Sequence, residues 1–352
     1  MRNTMMNGGP NARRGHAALR ALLTRSLAML AAVASLGTLT ACEGPLPTVA
    51  SQSSSSSKTP DLTVDQEAKI RASILDTLNK ANDAKDASGL SGRVTGPALA
   101  VRTAELTIAQ KTGNLDKKTN IPNDIEQTVI PTDNGWPRTL LSITTTTSDQ
   151  QTQRLLVMEQ TSAHQNYRLW GVARLFSGAQ LPKFAVPKIG TQMGKADDSG
   201  LVATPADAVA QYADVLTKGT DSEYASKFAD DSFRTDLATT AAKVQQGMEA
   251  NKGTQSQTFA AEPDAIKIMR SSDGGDLVIA QINSEWTRQA GEGRESLPAN
   301  DAEKALFGDG QATSNMKVTY VNVVALYVPA ASSGAQIQAV GAERQAVKVE
   351  AF

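Results

Sequence analysis

The chain has 352 residues, 40% of them hydrophobic and 20% charged, with a net charge of −1. That length exceeds one usual domain and fits two compact domains, and after the first forty residues no apolar run is long enough to cross a bilayer, which excludes a multi-span membrane protein. Residues 1–41 hold five arginines and no acid, leaving 30 basic against 36 acidic side chains, net −6, in the remainder, so there is no electrostatic footprint for nucleic acid.

In chain order, residues 1–41 read as an export signal: a positive region through Arg25, an apolar stretch from Leu27 to Leu36, and a small-residue end. The tetrapeptide Leu39-Thr40-Ala41-Cys42 follows, and it resembles the lipobox of bacterial lipoproteins. The resemblance implies cleavage between Ala41 and Cys42, a diacylglyceryl group on the Cys42 thiol, and acyl chains such as palmitate holding the mature chain at the extracytoplasmic face of the cell membrane. Burying each acyl methylene contributes about 0.8 kcal/mol, so two or three chains give a stable anchor. Arg13-Arg14 leaves the twin-arginine route open beside the general one. Residues 42–60 combine Pro, Gly and five consecutive serines, the composition of a disordered tether. Ser55 and Lys58 match an S-x-x-K spacing, but acyl transfer needs that pair on a rigid helix.

The body is expected to hold a first α+β domain at 61–180, a linker at 181–203 and a second α+β domain at 204–352. Thr63 and Gln66 have capping-box spacing, and Ile70, Ile74, Leu75, Leu78 and Ala81 recur at helical intervals. A second helix is predicted from Gly96-Pro97 to Ala109, fraying into a strand, then a polar loop over 111–124. Alternation predicts strands at 125–130, 138–147, 154–160 and 167–175, with residues 161–166 as a hairpin turn. The second half repeats the order. Thr204-Pro205 opens a helix, 222–250 is helical, and strands are predicted at 264–270, 277–287, 316–328 and 336–349. The turn at 271–275 answers the one at 131–135, and a period near 140 residues predicts a duplicated domain. Two tandem domains, each with helices packed on a curved antiparallel sheet, make an α+β fold. This order resembles the cone-shaped fold of the nuclear transport factor and ketosteroid isomerase superfamily, and the whole chain resembles uncharacterised tandem lipoproteins of Gram-positive bacteria.

Candidate chemistry is sparse. Cys42 is the single cysteine and His164 the one histidine after it, so no disulfide, metal site or cofactor is expected. Cone folds can place an acid with a raised pKa near a tyrosine, which makes Glu159 and Glu285 candidate inward acids and Tyr167, Tyr320 and Tyr327 candidate donors. His164 sits in a turn without a nucleophile motif nearby. The Gly291-Glu292-Gly293 and Gly308-Asp309-Gly310 segments lack the residues of a phosphate or calcium loop and read as loop between strands. Of Trp136, Trp170 and Trp286, Trp170 is the candidate ligand contact, because its strand ends near the join between the halves, where pockets tend to lie. The expectation is a membrane-anchored envelope lipoprotein acting as a non-enzymatic binding or scaffold module, with the membrane and envelope proteins or wall components as partners. An enzyme or isomerase using a pocket carboxylate, and a solute-binding or transport accessory lipoprotein, are the alternatives.

Overall fold

Helix α1 (Val64–Ala84) starts at a closed capping box: Thr63 Oγ1 accepts from the Gln66 N–H at 3.2 Å, and Gln66 Oε1 accepts from the Thr63 N–H at 2.8 Å. The structure, a computed structural model, describes residues 58–133, 135–146 and 152–352. The expected export signal, Leu39, Thr40, Ala41, Cys42 and the tether up to residue 57 lie outside the described residues. α1 buries Ile74, Leu75, Leu78 and Ala81. A buried Glu67–Arg71 pair on its first turns accepts the Ser142 hydroxyl at 2.8 Å, which ties the helix to the sheet. α2 (Gly96–Thr112) stays helical to its Gly113 cap and does not fray into a strand, because Ala104, Leu106 and Ala109 bury its later turns.

Strands β1 (Ile125–Val129), β2 (Arg138–Thr144), β3 (Arg154–Gln160) and β4 (Arg168–Leu175) form an antiparallel meander. In the second half, Thr204 caps α3 (Pro205–Lys218), with Pro205 at the first helical position. A 3₁₀ turn at Ala225–Lys227 is all the helix in the first part of the region expected as helical, and α4 (Ser232–Ala250), which Asp231 caps, fills the rest. A second meander follows in β5 (Thr254–Arg270), β6 (Asp276–Gln289), β7 (Asn315–Val328) and β8 (Gln338–Ala351). β5 begins ten residues earlier than Pro263 suggests. Proline cannot donate to a ladder, but the strand absorbs it in a bulge with Asp264 at φ 59° and then resumes its pairing at Ile266. The stretch expected as loop between β6 and β7 contains α5 (Asp301–Phe307), capped by the Asn300 side chain and closed at Gly308.

The two meanders join in one sheet of order β1-β2-β3-β4-β8-β7-β6-β5. β4 and β8 meet antiparallel through Arg174 with Ala342 and Leu175 with Gly341, which covers two edges that would otherwise expose unpaired backbone groups. The sheet curls into a half-barrel, and one core cluster on it draws Val129, Leu141 and Val157 from the first meander together with Met269, Leu277 and Ile279 from the second. α1 and α2 cover the first meander over Leu140, Leu156 and Met158. α3 covers the second over Phe259, Val278 and Val324. The segment expected as linker crosses both halves, bridging Thr191 to Pro131, Met193 to Met269 and Leu201 to Ala330.

Candidate functional site

Beyond their two paired positions, β4 and β8 leave room at the junction of the meanders. α2 touches both strands and α5, and a cleft of about 890 Å³ opens there. Glu105 from α2, Arg174 from β4 and Glu343 from β8 face it, with Lys117 and Lys118 from the loop after α2. Arg174 Nη2 donates to Glu343 Oε1 at 2.7 Å. Arg102 Nε lies 3.2 Å from Glu105 Oε2, out of hydrogen-bond alignment, so that oxygen is buried without a donor. A small cavity of about 30 Å³ continues behind the cleft between Leu78, Val101, Arg102 and Arg154. There Arg102 donates to the Thr119 carbonyl at 2.7 Å and Arg154 to the Lys118 carbonyl at 3.3 Å.

Burial pushes Glu105 up to about 7, with Arg102 opposing the rise and the Glu343 carboxylate adding to it. Burial raises Glu343 as well, against Arg174 and Arg154. Two acids therefore share one cleft with guanidinium groups beside them. Such a site can hold a polar ligand bearing both donors and acceptors, and an acid ionising near neutrality can exchange a proton with it. Among the described residues, no group of three or more His, Cys, Asp or Glu side chains is placed to hold a metal ion.

The residues singled out in the sequence are scattered. Trp170 occupies the bulge of β4 opposite Val157 and Met158. It is buried in the sheet core, with the Lys267 ammonium 5.2 Å from its ring centre and its indole edge against Gly96. Its strand does reach the junction cleft, but Arg174 is the residue that lines it. Glu159 is inward and buried, paired with Lys267, whereas Glu285 is exposed and pairs with Lys317 at 3.2 Å. Tyr167 is buried and pushed up to about 12 by that burial. Tyr327 also reaches about 12, through burial and then the neighbouring Asp273. Tyr320 lies under the Arg344 guanidinium, 3.8 Å from its ring centre. His164 is exposed in the β3–β4 turn. Trp136 is exposed beneath Arg138, and Trp286 is buried, donating to Gln255 Oε1 at 2.7 Å. Gly308 and Gly310 close α5, and Gly291 packs on the Asn251 backbone. Ser55 lies outside the described residues. Glu105, Arg174 and Glu343 carry no local sequence signal. They come from three separate elements, and only the pairing of β4 with β8 assembles them.

A protein of Streptomyces avermitilis named as an uncharacterized lipoprotein is 29% identical over 276 residues, covering 75% of this chain and 78% of its own. No solved structure matches the chain. The family model described as a domain of unknown function, DUF8094, matches residues 58–349, a span that takes in the five α-helices of the described residues and both meanders but for the last two residues of β8. The protein therefore belongs to the DUF8094 family.

Proposed function

We propose that the protein is a cell-envelope lipoprotein, exported and held by acyl chains on Cys42, whose body is a non-enzymatic binding module. The observation that carries this reading is the coincidence of a lone cysteine at the end of Leu39-Thr40-Ala41-Cys42 with a relative named as a lipoprotein. No helix among the described residues is long and apolar enough to cross a membrane, which accords with attachment through lipid. Residues 43–60 space the body from the headgroups, and the junction cleft is where an envelope ligand or partner docks. The halves descend from one duplicated unit: each opens with two helices and continues in a four-stranded meander, α5 being added between β6 and β7 of the second, and the meanders join last strand to last strand. Membrane fractionation tests the anchor. The wild type should sediment with membranes and Cys42→Ser should move to the soluble fraction, whereas a variant that stays on the membrane would sink the proposal.

A second reading, proton transfer by a pocket carboxylate, is favoured by Glu105 alone, an acid buried in a cleft with its pKa near 7. It predicts turnover of an envelope substrate whose rate follows an ionisation near pH 7 and vanishes in Glu105→Gln. Turnover that survives the substitution would remove Glu105 from any such role.

A further inference from the structure

Helix α4 is 19 residues long, yet Phe233 is its one buried residue. Leu237, Thr240 and Val244 continue the Phe233 face at helical spacing, and beneath that face a cavity of about 330 Å³ separates the helix from β5–β8. The volume lies at the small end of ligand pockets, about 300–1,000 Å³. Trp286 and Tyr320 supply aromatic walls.

The polar groups of this cavity are unbalanced toward donors. Arg344 Nη2, Arg288 Nε and Gln257 Nε2 are all buried without a hydrogen-bond acceptor, and all three residues line it. Glu303 is already committed: it pairs with the Arg288 terminal nitrogens and accepts the Ala299 N–H at 2.7 Å. Asp236 is exposed at the rim. Arg344 has no carboxylate partner among the described residues. Its Nη1 reaches only Ser284 Oγ at 3.3 Å and Asn322 Oδ1 at 3.4 Å, and Asn322 is itself fixed by donating to the Ile282 carbonyl at 2.7 Å. The guanidinium lies 3.8 Å from the Tyr320 ring centre and 5.6 Å from that of Phe259. A half-buried cation without a counter-charge is unfavourable, and so is each unmet buried donor. A guanidinium with an unmatched terminal nitrogen can donate to a carboxylate oxygen.

We infer that the cavity beneath α4 binds a small organic carboxylate with an apolar body, its carboxylate on Arg344 and Gln257 and its apolar part against Phe233, Trp286 and Val244. The cavity shares Arg344 with the lining of the junction cleft but does not depend on acylation of Cys42, so its failure would leave the anchor standing.

Calorimetric titration of the full-length protein with 1-naphthoate, and with the neutral 1-naphthalenemethanol, tests it. Saturable binding of naphthoate is expected, with the alcohol weaker by about tenfold or more, since a charge-assisted bond is lost. Arg344→Gln should lose about tenfold or more and Gln257→Leu roughly threefold. Thermal unfolding checks that each variant folds, and if Arg344→Gln does not, the partly exposed Gln257→Leu decides. No saturable binding at millimolar naphthoate, equal binding of the alcohol, or unchanged affinity in the folded variants would overturn the assignment.

Discussion

Glu105 has an ordinary carboxylate pKa of 4.5 in the unfolded chain and one of about 7 in the fold. Between those values the folded protein holds a proton that the unfolded chain has released. The stability this contributes is fully present below pH 4.5 and is lost as pH rises through 7. At 1.36 kcal/mol per unit the change is of order 3 kcal/mol. Glu105→Gln, which keeps the shape without the charge, should be more stable than the wild type at pH 8, with a flatter stability profile between pH 4.5 and 7. Urea denaturation across that range measures it, and parallel profiles for the two proteins would contradict the assignment. The sequence offered Glu159 and Glu285 together as candidate inward acids, and only Glu159 is buried; β3 is buried along both faces, so alternation alone does not separate the two. Glu105 was not legible there, because its neighbours in the fold, Arg174 and Glu343, lie on other elements and nothing in α2 announces them.

The elements whose ends carry a chemical marker were the most legible. Thr63 with Gln66 and Thr204 with Pro205 mark helix starts through the hydrogen bonds and dihedral they supply. α5 escaped because seven residues are too few to establish a periodicity, and the early part of β5 escaped because Pro263 reads as a break. The entry to α2 depends on Gly96, whose φ of 54° and close approach to Trp170 leave no space for a side chain: a Cβ there would lie 2.7 Å from Trp170 Cδ1 and Nε1. Left-handed backbone costs about 1–2 kcal/mol for other residues, and forcing Trp170 from its place costs about 1–3 kcal/mol more. Gly96→Ala should therefore destabilise by about 2 kcal/mol or more. Gly92→Ala, with nothing within 4 Å of its added methyl, should stay within about 0.5 kcal/mol. Equal midpoints for the two variants in thermal unfolding would contradict this account of the α2 entry.

Across the whole molecule the halves are bound by more than the β4–β8 pairs. Lys267 on β5 pairs with Glu159 on β3, both largely shielded from solvent, so a charge from each meander meets inside the curled sheet. Removing one member of such a pair costs about 3–5 kcal/mol because the other is left buried alone. Lys267→Met should show that loss and Lys267→Met/Glu159→Leu should recover most of it. Both variants should unfold in a single transition, and two separated transitions would mean the meanders are held independently. The sequence predicted two tandem domains and did not foresee one sheet shared by both meanders, since an edge pairing of two residue pairs leaves no local pattern. The anchor proposed at Cys42 determines where this body works. The intact mass of the protein taken from its native membrane tests it most directly. The account predicts the mass of residues 42–352 plus acyl groups, with the acyl mass absent in Cys42→Ser. An unmodified or uncleaved chain would contradict it.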